Sequence, residues 1–320
     1  MCTRVMWRAA GQPVVVGRNM DWKQSLGTNL WVLPRGVERV GVDGENPLRW
    51  TAAYGSVVAT AYDAATTDGV NERGLGAHLL WLAESEFGER DTGLPALSVS
   101  MWTQYVLDRF ATVAEAVASM EAEPFQVRPQ GDERSGTWST VHLAIEDAGG
   151  DSAIVEFLDG KPRIHHDPAY AVMTNSPPFD EQLEHLKRYE GFGGELPLPG
   201  TTQAADRFVR ASYYLDRLPP AETPAHAYAA LLSVMRNAAQ PFGTPDPARP
   251  NISATIWRTL ADLTNGVYGF ESSYSPDIVW TRLDAVDFDR AARLDLSAEG
   301  LVGDVSGRYE AAEPFAFESA

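Results

Sequence analysis

Met1-Cys2-Thr3-Arg4 opens the chain, and Cys2 is the only cysteine among its 320 residues. Removal of Met1 by an aminopeptidase that tolerates a small second residue leaves Cys2 terminal. A thiol and a free α-amine then sit on one residue. An α-amine titrates at about 7.7–8.0, so near neutral pH a useful fraction can take up the thiol proton. Nucleophile and base are thereby a single residue, and no separate histidine is required. The competing reading is a cysteine placed by accident at a frayed terminus.

Outward from Cys2, residues 2–9 (CTRVMWRA) and 14–22 (VVVGRNMDW) are β-prone runs on either side of Ala10-Gly11-Gln12-Pro13, which reads as a hairpin turn. A turn centred between Gly11 and Gln12 sets Asp21 opposite Cys2, about 5 Å away. Arg18, three residues from Asp21, then falls on the other face of a regular strand. Both can face Cys2 only if the strand bulges or ends between them.

Further strands are expected at 29–33, 55–62 and 75–81, with turn chemistry at Asp43-Gly44, Asp68-Gly69 and Asn71-Glu72-Arg73-Gly74. Helices follow at 97–110 and 112–121, the second capped by Thr112 with Glu115 at its third position. Strands are expected again at 140–146, 152–158, 163–165 and 170–174, then helices at 179–189, 203–217 and 225–239. A proline-rich loop at 241–250 precedes strands at 254–263, 266–271 and 277–283, and the tail from Ala285 reads as irregular. This order predicts sheets layered beneath helices. No repeat or linker divides the chain, so one domain over 1–320 is expected.

Composition narrows the function classes. A net charge of −18 repels polyanions, which disfavours nucleic acid and anionic lipid surfaces as partners. One cysteine permits no intrachain disulfide. The six histidines are scattered, and the His165-His166 pair, a weak metal hint, reads more simply as a solvated strand end. Neither a metal nor a cofactor is expected. No apolar run reaches about 18 residues and no charged-then-apolar leader opens the chain. As it stands the sequence reads as a soluble cytoplasmic protein, periplasmic or secreted had a signal peptide been trimmed.

Four pieces recur in order: Cys2, Gly17-Arg18-Asn19-Met20-Asp21-Trp22, Thr174-Asn175-Ser176-Pro177 and Ala205-Asp206-Arg207-Phe208-Val209-Arg210. With Asp68-Gly69-Val70-Asn71-Glu72-Arg73-Gly74-Leu75, they resemble the choloylglycine hydrolase family of N-terminal-nucleophile amidases, which holds the conjugated bile salt hydrolases and the penicillin V acylases. The resemblance runs from Cys2 to beyond Trp280. The link after Asn175 is shorter than in Gram-positive members. Asp21-Trp22-Lys23, Gly27-Thr28-Asn29-Leu30-Trp31 and Leu80-Trp81-Leu82 look like the Gram-negative-type penicillin V acylases, some of which also cleave N-acyl homoserine lactones.

The resemblance implies an α+β four-layer αββα sandwich. It also implies an amidohydrolase that acts on a small molecule through a Cys2 thioester, without cofactor, in a homo-oligomer such as a tetramer. By the same resemblance Asp21 anchors the Cys2 amine and Arg18 favours thiolate by its charge. Asn175 and the Trp81 backbone N–H form the oxyanion hole, and Arg207 supports the charge network. Arg210, one helical turn on, is the alternative to Arg207. Without the resemblance, Arg18 reads as a surface ion pair, and Asp21 and Asn175 as turn residues. Trp22 and Trp81 are expected to make a flat apolar slot for a phenoxyacetyl ring or a fatty acyl chain. The alternatives are a conjugated bile salt hydrolase, which Trp81 disfavours, and a non-catalytic protein that binds apolar ligands.

Overall fold

Every side chain of the first strand, β1 (Cys2–Trp7), is buried, and β2 (Val15–Trp22) is buried as far as Asp21. A strand buried on both faces must lie between two layers. The computed structural model, which describes residues 1–132, 137–243, 253–275 and 277–320, shows which layers these are.

The central elements are β3 (Leu30–Leu33), β4 (Ser56–Ala61), β5 (Ala65–Asn71), β6 (Leu75–Trp81), α1 (Val99–Arg109), α2 (Val113–Ala122), β7 (Val141–Asp147), β8 (Ser152–Leu158) and β9 (Lys161–His166). They are followed by β10 (Val172–Met173), α3 (Phe179–Leu186), α4 (Ala204–Leu215), α5 (Pro224–Asn237), β11 (Ala254–Asp262), β12 (Val267–Ser272), β13 (Ile278–Arg282), β14 (Ala292–Leu294), β15 (Gly303–Asp304) and β16 (Glu310–Ala311). One sheet runs β10-β1-β2-β11-β12-β13-β15, and the other runs β9-β8-β7-β6-β5-β4-β3-β14-β16. The sheets stack face to face. α4 and α5 cover the first, and α1 and α2 cover the second, which gives the expected αββα sandwich.

The helices cover the sheets for legible reasons. α4 buries Ala204, Arg207, Phe208 and Ala211, one stripe at helical spacing. α5 closes on β2 because Gly17 has no side chain: a Cβ there would lie 2.5 Å from Met235 Cγ. The Thr112 cap on α2 is present, with Thr112 Oγ1 accepting from Glu115 N at 3.2 Å.

Three expectations need correction. The hairpin turn centres on Gly11 itself, at φ +73°, so Cys2 pairs with Met20 and not with Asp21. Asp68-Gly69 is not a turn but lies inside β5. Glycine is required there by close approach, since a Cβ would stand 2.7 Å from Val58 Cγ1 and 2.8 Å from the Val57 carbonyl. The tail from Ala285 is not wholly irregular, because β14 extends the second sheet along β3. From residue 244 the proline-rich loop lies outside the described residues.

Asn71 in the same motif is structural. Its Nδ2 donates to the Leu107 and Phe110 carbonyls at the end of α1, and its Oδ1 accepts from Arg73 N and Leu75 N.

A chain of buried charges joins the two sheets. Arg4 Nε donates to Glu146 Oε2 at 2.9 Å, Glu146 Oε1 meets His78 Nε2, and His78 Nδ1 meets Asp68 Oδ2 at 2.5 Å. Tyr268 Oη donates to Asp68 Oδ1. Burial alone would depress the His78 pKa, but Glu146 and Asp68 outweigh it and raise it to about 9. Burial would raise the Glu146 pKa, but Arg4 and His78 hold it down at about 2.

The two shifts define a stability window. The His78 contribution is complete below the ordinary value of 6.5 and is lost as pH rises through about 9. The Glu146 contribution is complete above 4.5 and is lost as pH falls through about 2. The melting temperature should therefore plateau between about pH 4.5 and 6.5 and decline on both sides. In Glu146→Gln the acid-side decline should shrink, and the protein should lose about 3–5 kcal/mol, the usual cost of removing one partner of a buried ion pair. Thermal melts from pH 3 to 9.5 on both proteins check this.

Candidate active site

Because Cys2 pairs with Met20, Cys2, Arg4, Arg18 and Met20 share the face of the first sheet that looks toward the second sheet. Thr3, Asn19 and Asp21 look toward the helices. Arg18 therefore reaches the thiol with no bulge in β2. Its Nη2 donates to the Leu79 carbonyl at 2.8 Å and lies 3.6 Å from Cys2 Sγ. Arg18 is fully buried, so its charge acts on the sulfur with little screening by water.

The main chain of Cys2 is held from the helix side. Cys2 N donates to Asn175 Oδ1 at 2.6 Å, and Arg207 Nη1 donates to the Cys2 carbonyl at 2.6 Å. Arg207 also donates to Thr3 Oγ1 at 2.5 Å and to Asn175 Oδ1 at 2.7 Å. Burial pulls the Arg207 pKa down, while Asp21 and Cys2 act to raise it. Arg210 points elsewhere. It binds the Pro199 and Thr201 carbonyls and Asn237 Oδ1, and so fixes the entry to α4. Of the two arginines, Arg207 is the one at Cys2.

Asp21 is fully buried. Its Oδ1 accepts from Thr255 Oγ1 at 2.6 Å and its Oδ2 from Gln240 Nε2 at 2.8 Å, with Arg207 Nη1 3.6 Å away. Its backbone pairs with Met1: Met1 N donates to Asp21 O at 2.7 Å, and Asp21 N donates to Met1 O at 2.8 Å. The Met1 α-amine has its pKa lowered. Burial is the largest cause, Cys2 and Asp21 oppose it, and Arg207 and Arg18 reinforce it.

Asn175 stands just after β10. Its Nδ2 donates to the Trp81 carbonyl at 2.6 Å, which leaves the second hydrogen of the NH₂ group available. Gln182 of α3 donates to the Asn175 carbonyl and, at 2.9 Å, to the Pro177 carbonyl, fixing the segment that carries the amide. Trp81 lies opposite Val141, and Leu82 N donates to Thr140 O. By the alternation of an antiparallel ladder, the Trp81 N–H points away from β7.

The Trp22 and Trp81 rings pack against each other, with centroids 5.8 Å apart and planes at 50°. A ring inserted between two aromatic faces needs about 7 Å, so the pair is a continuous apolar wall and not the expected slot. The sequence expectation missed Thr255, Gln240, Gln182 and Thr3. Thr255, Gln240 and Thr3 are common polar residues whose partners lie far along the chain, while Gln182 holds carbonyls five and seven residues before it.

His165 and His166 each face carboxylates. His166 pairs with Asp151 at 2.8 Å, and His165 lies near Glu156 and Asp180. Among the described residues, no group of three or more His, Cys, Asp or Glu side chains could hold a metal ion. No helix among the described residues is long and apolar enough to cross a membrane.

Comparison with known proteins identifies the family. The family model of linear amide C–N hydrolases, choloylglycine hydrolase family, matches residues 2–295. The chain is 43% identical to a penicillin V acylase of Pectobacterium atrosepticum over 99% of this chain and 92% of that one. It is 24% identical to a bile salt hydrolase/transferase of Clostridium perfringens over 91% of this chain and 93% of the other. A solved penicillin V acylase from Agrobacterium tumefaciens superposes with a TM-score of 0.91 at 45% identity, covering all of both chains.

Proposed function

This chain belongs to the choloylglycine hydrolase family of linear amide C–N hydrolases, and from that premise we propose that it cleaves the amide of penicillin V and of N-acyl homoserine lactones through a thioester on Cys2. The observation that carries the reading is the double grip on Cys2. Arg18 stands 3.6 Å from its sulfur, while Asn175 and Arg207 hold its nitrogen and carbonyl.

Once Met1 is removed, the Cys2 α-amine takes the thiol proton and the sulfur attacks the substrate carbonyl carbon. The oxyanion accepts from the free Asn175 N–H and the Trp81 backbone N–H, both neutral donors. Collapse breaks the C–N bond, and the Cys2 ammonium gives its proton to the leaving amine. Water then hydrolyses the thioester and releases the carboxylic acid. Asp21 steadies the ammonium electrostatically, itself held by Thr255 and Gln240. The whole chain acts as one such domain.

The Trp22–Trp81 wall favours an extended or flat acyl group laid across it. Each CH₂ buried there adds roughly 0.8 kcal/mol, about fourfold in binding, until the wall is covered. The test is kcat/KM for acyl homoserine lactones of increasing chain length, beside penicillin V and glycocholate. A steep rise that levels off is expected, with poor hydrolysis of glycocholate. Trp81→Ala should flatten the rise and spare the shortest substrate, because its backbone N–H remains. Preference for glycocholate would replace the acylase reading with bile salt hydrolysis.

A further inference from the structure

The Arg18 guanidinium is buried and has no carboxylate partner among the described residues. Its Nε and Nη1 find no hydrogen-bond acceptor, and its one oxygen contact is the Leu79 carbonyl. What lies against it is an aromatic face: Arg18 Cζ stands 4.6 Å from the ring centroid of Trp257. An indole face is the strongest aromatic partner for a desolvated cation. Trp257 is 3% exposed, is anchored by a hydrogen bond from its Nε1 to Thr28 Oγ1 at 3.0 Å, and is backed by Phe270 at 5.4 Å.

The backbone of β11 explains how the indole arrives there. Thr255 pairs with Asp21 and Trp257 with Met20, with the register slipping by one residue between them. In a regular strand, residues 255 and 257 would share a face. The bulge at Ile256 sends Thr255 to the helix side, where it holds Asp21, and Trp257 to the intersheet side, where it meets Arg18. One extra residue thus supports Asp21 and Arg18, two of the charged neighbours of Cys2, from a single strand.

We infer that Trp257 is a positioning residue for the reaction, its indole face holding the Arg18 guanidinium against the Cys2 thiol, an inference that rests on Cys2 being the nucleophile. The step it serves is formation of the attacking thiolate, which a fixed cation beside the sulfur favours.

The readout is the rate of Cys2 alkylation by iodoacetamide in the Met1-processed protein, measured by intact mass beside penicillin V hydrolysis and thermal melts. Trp257→Leu should slow alkylation about five- to tenfold, the worth of a buried cation–π contact. Trp257→Phe should stay within about twofold, because a π-face remains. In an Arg18→Leu background, Trp257→Leu should slow alkylation no further. Equal slowing in both backgrounds, or a lowered melting temperature at unchanged alkylation, overturns the inference. Should alkylated enzyme still hydrolyse penicillin V, the nucleophile assignment itself falls and takes the inference with it.

Discussion

Protein that retains Met1 should melt as the processed form does yet hydrolyse penicillin V about 10²–10⁴-fold more slowly, the usual worth of a general base. With Met1 in place the Cys2 nitrogen is an amide whose N–H donates to Asn175 Oδ1. Its lone pair is delocalised into the peptide bond, so it cannot accept the thiol proton. Met1 meanwhile continues β1 by one residue, exchanging backbone hydrogen bonds with Asp21, so its retention does not disturb the fold. The Met1 amine is one residue too far along to replace the Cys2 amine. Intact mass assigns each preparation, kcat on penicillin V measures the loss, and a melt confirms folding. Full turnover by protein with verified Met1 would eliminate the self-base mechanism.

Asn175→Ala carries the second large effect, a fall in kcat of about 10²–10³, the usual loss for one oxyanion-hole donor. The structure adds a stability cost. The Asn175 side chain joins Cys2 N, Arg207 Nη2 and the Trp81 carbonyl within 2.7 Å, and it is 1% exposed. Truncation leaves those groups without their partner at about 1–3 kcal/mol for a buried polar group. The melt should drop, so kcat must be taken on the folded fraction. Asn175→Asp, which keeps the shape but lacks the NH₂ donors, should lose turnover comparably and place a second negative charge near Asp21. Normal kcat on folded Asn175→Ala would make the residue purely structural.

Much of the layer order was legible because it rests on short-range rules. The Thr112 cap, the stripe on α4 and the bounds of Leu75–Trp81 all follow from residues within a few positions of one another. The site residues were legible for a different reason. The motifs around Cys2, Arg18, Asp21, Asn175 and Arg207 resemble those of a known family, and without that resemblance Arg18 reads as a surface ion pair and Asp21 and Asn175 as turn residues.

Tertiary structure alone decided how those residues face one another. The register of β1 on β2 depends on whether the turn centres on Gly11 or beyond it, and a shift of one residue moves every side chain to the other face. Local turn propensity does not separate the two cases; packing of β1 and β2 between the second sheet and the helices does. The same holds for Asp68-Gly69, which is turn chemistry by composition. It becomes strand because His78 and Tyr268 satisfy the carboxylate and Val58 crowds the glycine. The bulge at Ile256 leaves no local mark, since it arises from matching β11 to β2 across 234 residues of sequence at Thr255 and Asp21. The sequence by itself pointed to Cys2, Arg18, Asp21, Asn175 and Arg207 and left Thr255, Gln240, Gln182 and Thr3 unmarked. Register and bulge, which are sums of many weak long-range contacts, decided that Arg18 meets the sulfur of Cys2 while Asn175 and Arg207 hold its backbone.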